Sequence, residues 1–74
     1  MIVVNCPLKQ DEIIQIVENV QIENSKPFKF SKKQGIKIYF ESDYNDMEKA
    51  CSTIKKEIKE TELGKVLYFN VVSE

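Results

Sequence analysis

The sequence predicts an α+β sandwich in which a four-stranded antiparallel sheet carries two helices on one face. Three observations lead there. Residues of opposite faces alternate over Phe28–Ser31 and again over Ile36–Glu41, on either side of a polar turn, the period of strands with one face buried. Apolar residues recur at helical spacing in two other stretches, 13–20 and 47–58. The resulting order is strand, helix, strand, strand, helix, strand.

Each element has its own signal. Ile2 to Asn5 is an expected short strand, left through Cys6-Pro7. Between Lys9 and Gln21, Ile13, Ile16, Val17 and Val20 share one helical face, and Asp11 and Glu12 suit the positive end of the helix dipole. The run Glu23-Asn24-Ser25-Lys26-Pro27 is a turn. Phe28 and Phe30 alternate with Lys29 and Ser31, and a turn over Lys32-Lys33-Gln34-Gly35 is expected to lead into Ile36, Ile38 and Phe40. Asn45 and Glu48 have the spacing of a capping box, followed by an apolar stripe of Met47, Ala50, Cys51, Ile54 and Ile58. Gly64 is the expected end of that helix, and Val66 to Val72 the last strand.

The simplest closure of this order is the split βαβ, or ferredoxin-like, sandwich with strand order 4-1-3-2, one domain over residues 1–74. Period two then points Ile2, Val4, Phe28, Phe30, Ile36, Ile38, Phe40, Leu67, Phe69 and Val71 toward the helices. The helix-free face is expected to carry Val3, Asn5, Lys29, Lys37, Tyr39, Val66, Tyr68, Asn70 and Val72. Tyr39 and Tyr68 are expected on either side of Val3. Amphipathic tyrosines with several valines suit a contact surface.

Composition removes several function classes from the first rank. The chain has no His, no Trp and no Arg; all eleven cations are lysines. The usual proton shuttle at neutral pH and the commonest metal ligand are therefore missing. So is the planar fork that reads guanines and grips phosphates. Cys6 and Cys51 stand alone, without a C-x-x-C, so neither a zinc set nor a bridge between them is expected. Two isolated thiols suit a reducing cytoplasm. The apolar run Met1–Val4 has no basic region before it, so no signal peptide and no membrane association is expected. No enzyme activity and no cofactor is expected.

Two known families share the expected topology. The stretch KKQGIKIYFES resembles the third strand of an RNA-recognition motif, and MIVVNCP its first. With Gly35 set on the pattern glycine, however, Ile36, Ile38 and Glu41 occupy the places of the stacking aromatics, and Ile2 that of the first-strand aromatic. Metal-chaperone domains of this topology carry C-x-x-C after the first strand, where this chain has Cys6-Pro7-Leu8-Lys9.

Charge is unevenly spread although the net is −1. Lys26, Lys29, Lys32, Lys33 and Lys37 stand together without an acid, while Glu41, Asp43, Asp46 and Glu48 follow without a lysine. The lysines could attract phosphates by point charge. They could meet an acidic protein, or simply discourage strand pairing at an edge. The last strand, by contrast, has no charge between Lys65 and Ser73, which points to association. The expectation is a small non-enzymatic interaction domain, self-associating as a homodimer or meeting an unidentified protein partner. Weak non-specific nucleic-acid binding by the Lys26–Lys37 hairpin is the alternative.

Overall fold

A computed structural model describes residues 1–74. Its elements run β1 (Ile2–Asn5), α1 (Gln10–Glu18), β2 (Phe28–Gln34), β3 (Lys37–Ser42), α2 (Met47–Lys59), α3 (Glu62–Val66) and β4 (Asn70–Ser73). The four strands form one antiparallel sheet in the order β2-β3-β1-β4, the ferredoxin-like order expected. Ile2, Val4, Phe28, Ile38 and Phe40 join Ile13, Val17, Ala50, Ile54 and Ile58 in a single buried cluster, so the helices cover one face of the sheet. Ile38 is fully buried, and its neighbour Tyr39 faces the other way. KIYFES is thus a core strand. Phe30 meets Phe40 edge to face, with ring centroids 6.3 Å apart.

Several boundaries differ from expectation, each for a local reason. α1 ends at Glu18, where Asn19 Nδ2 donates to Gln15 O at 2.8 Å; Val20 packs into the core from outside the helix. The cap of α2 is Asp46 rather than Asn45: its carboxylate accepts from Lys49 N at 3.1 Å. β2 continues through Gln34, and the turn is Gly35-Ile36, with Gly35 at φ 60°. Positive φ at the first central residue only is the pattern of a type II′ hairpin turn, which glycine adopts without strain. Ile36 therefore sits at the tip, 52% exposed, instead of in the core. Gln10 Nε2 ties this tip to the first strand, donating to Gly35 O at 2.9 Å and Cys6 O at 3.0 Å.

The largest correction concerns Val66 to Val72. Only Asn70–Ser73 forms a strand, and Glu62–Val66 is a short helix. Thr61 makes the helix possible: its Oγ1 accepts from Gly64 N at 3.2 Å and donates to Ile58 O at 2.6 Å, joining the end of α2 to the start of α3. Gly64 is not a helix stop. It lies inside α3, where a Cβ would run into the Ile58 carbonyl and lie 2.6 Å from Lys59 Cα. Glycine is there because two backbones pass closely.

Candidate functional site

The helix-free face is ordered in rows by the strand registers. Val3 on β1 lies between Tyr39 on β3 and Val72 on β4, and Asn5 lies between Lys37 and Asn70. Asn5 Nδ2 donates to Asn70 Oδ1 at 2.7 Å. Tyr68 is not beside Val3: it precedes β4 in the chain and is 90% exposed. Val66 belongs to α3 and is 79% exposed. The expected pair of tyrosines flanking Val3 is replaced by one tyrosine and one valine.

Val3 itself is fully buried although no helix covers it and it stands outside the helix-side cluster. The cause is side-chain cover from both neighbouring strands. Lys37 shares the row of Asn5, while Glu74 shares the row of Met1, whose carbonyl accepts from Glu74 N at 2.8 Å. The ion pair between Lys37 Nζ and Glu74 Oε2, at 3.8 Å, therefore crosses β1 over the intervening row, which is that of Val3. The aliphatic stem of lysine suits this role, covering an apolar side chain while its charge stays wet.

The lysine hairpin does not present one patch. Ser31 is an extra residue on β2: Phe30 lies opposite Phe40 and Lys32 opposite Tyr39. Such a bulge reverses side-chain parity beyond it. Lys32 consequently joins the helix-free face, with Nζ 5.0 Å from the Tyr39 ring centroid, while Lys33 turns to the helix side. There Lys33 pairs with Asp11 at 3.3 Å. Lys37 is held by Glu74, Lys29 lies across from Glu41, and Lys26 donates to Asn19 Oδ1 at 3.3 Å. Five lysines close in sequence are spread over two faces and mostly given partners.

The two sheet edges differ sharply. In antiparallel strands, residues alternate between bonding a neighbour and pointing their N–H and C=O away from it. On β2 the Phe30 N–H points outward, and Glu18 Oε2, reaching over from α1, accepts it at 3.1 Å. On β4, Met1 and Glu74 form a bonded row. Counting by twos, Val72 and Asn70 also bond β1, which leaves the N–H and C=O of Val71 and Ser73 facing outward. No side chain reaches them. This bare edge follows directly on the exposed Val66 and Tyr68 and includes Val72, itself 42% exposed. Sequence reasoning located the uncharged edge but missed Glu18, for which its distance from β2 left no local signal.

Elsewhere the molecule offers little chemistry. Cys6 and Cys51 are free thiols. Cys6 is buried and its Sγ donates to Leu8 O at 3.2 Å. Burial pushes the Cys51 thiol above its ordinary range, with the Met1 ammonium pulling the other way, so little nucleophilic thiolate forms there at neutral pH. No group of three or more Cys, Asp or Glu side chains is placed to share a metal ion. A groove of about 570 Å³ between α1 and the α2–α3 junction is lined by Glu12, Ile16, Glu57 and Leu63 among others, and lies open to solvent. No helix is long and apolar enough to cross a membrane. No protein-family model, curated protein or solved structure matches this chain.

Proposed function

We propose that this chain is a small non-enzymatic interaction domain that self-associates through the β4 edge. The reading is carried by one observation: outward backbone groups at Val71 and Ser73 have no partner, on a strand continuous with the exposed apolar side chains of Val66, Tyr68 and Val72. Strand edges of this kind pair with another chain or aggregate. A second copy suits the surface because residues 66–73 carry no charge. A charge on the two-fold axis would face its own symmetry mate and be repelled, and one beside the axis would be desolvated against the facing apolar strand. The scattered and partnered lysines give nucleic acid a much poorer platform, with Tyr39 the one aromatic on the sheet face and Lys32 already over its ring.

Sedimentation across a wide concentration range tests the proposal. The expected result is a concentration-dependent dimer. Val72→Lys should weaken it at least about tenfold, the effect of about 1.4 kcal/mol, without disturbing the core, because Val72 is on the side of the sheet away from the helices. A strict monomer at the highest soluble concentration would overturn the reading. Binding of single-stranded nucleic acid at low salt, lost as salt rises, by a protein that stays monomeric would replace it with the alternative.

A further inference from the structure

Resting on that self-association, we infer that β4 pairs antiparallel with β4 of a second copy, with Val72 on the two-fold axis, fusing two four-stranded sheets into one. The register follows from which backbone groups face outward. Bonds form only where an outward residue of one strand meets an outward residue of the other, and β4 offers Val71 and Ser73. With Val72 on the axis, Val71 lies opposite the second copy's Ser73 and Ser73 opposite its Val71. Both outward residues of each strand are then used, in two reciprocal pairs. With Val71 on the axis, Ser73 would need Phe69 as its partner, and Phe69 lies outside the strand. An axis at Asn70 would also depend on residues before the strand. The Val72 register alone completes the ladder from the strand as it is folded.

Side chains agree with this register. Val72 of each copy faces the other in a row without hydrogen bonds, where Cα atoms approach to about 4.5 Å. Each Val72 already abuts Val3, so an apolar stripe of valines runs across the junction on the helix-free face. Asn70 then lies opposite Glu74 of the other copy. Asn70 Oδ1 accepts from Asn5 Nδ2 at 2.7 Å, which leaves Asn70 Nδ2 free at the junction, while each Glu74 carboxylate stays with Lys37 of its own copy. The junction thus places amide against acid at its ends and valine against valine at its centre, with no like charges opposed.

Disulfide trapping tests the register. Val72→Cys, made with Cys51→Ser to remove the other accessible thiol, should cross-link to a dimer on mild oxidation, because Cα atoms at about 4.5 Å lie within disulfide range. Asn70→Cys in the same background should not, since each Asn70 would be offset from its mate by four residues along the strand. A second pair of variants guards against a folding artefact: Val72→Lys and Val72→Glu should each lose the dimer while keeping slow amide exchange at Ile38. Mixing them should restore a one-to-one heterodimer. A wild-type dimer that cross-links through Asn70→Cys, and not through Val72→Cys, would overturn this register while leaving self-association standing. A monomeric wild type would remove both.

Discussion

The sheet has two edges, and they are treated differently. β2 is seven residues long and would be the more dangerous template, yet it is protected in three ways. Ser31 bulges and interrupts the ladder, Glu18 takes the outward Phe30 N–H, and Lys29, Lys32 and Lys33 surround the edge with charge. β4 is only four residues long and has none of these devices. The helices explain part of the asymmetry. α1 packs on the β2 side and can lend it a carboxylate, whereas α2 lies along β4 and bonds none of its outward groups. Shortness is itself a common way of blunting an edge. Here it comes with exposed valines and a tyrosine, which is what makes the β4 side a candidate for pairing.

Substitutions should matter less from the core outward. Ile38→Ala should have the largest effect, about 2–5 kcal/mol lost through removed burial and a residual cavity. β3 lies between both edges, so urea unfolding should show a global loss of stability; a loss below about 1 kcal/mol would mean that Ile38 is not a core residue. Gly64→Ala comes next, at about 1–3 kcal/mol, because its methyl must displace backbone at Ile58 and Lys59. Thermal melts measure this, and an unchanged melting temperature would refute the close approach that shapes the Val66 shoulder.

Smaller changes sharpen the contrast. Glu18→Ala should cost about 1 kcal/mol for a charge-assisted bond at an exposed edge. It should also speed hydrogen exchange at the Phe30 amide and raise the tendency to aggregate; an unchanged Phe30 exchange rate would show that the carboxylate does not guard β2. The smallest effect belongs to Asp11→Asn. With Asp11 82% and Lys33 46% exposed, their ion pair should contribute within about 0.5 kcal/mol. A denaturation midpoint clearly lower than wild type would reveal a tighter pairing than the 3.3 Å geometry implies.

Local periodicity alone determined much of this protein. The alternation around Ile38 and Phe40, the pair Ile2 and Val4, and the stripes Ile13–Val17 and Ala50–Ile54–Ile58 established the elements and their buried faces. With the element order, they also led to the strand order. These features are legible because side-chain direction repeats every two residues in a strand and about every 3.6 in a helix, whatever the rest of the chain does. What lay beyond reach was decided by partners distant in sequence. The bulge at Ser31 exists only relative to β3, so nothing local shows that Lys32 and Lys33 end on opposite faces. Glu18 and Phe30 are twelve residues apart, and the Lys37–Glu74 pair that seals Val3 spans half the chain. The turn of helix at Glu62–Val66, in place of a strand, depends on Thr61 holding Ile58 and on α3 packing against α2. Burial faces follow from the periodic geometry of each segment; edges, bulges and cover follow from which segments meet, and only the folded chain brings them together.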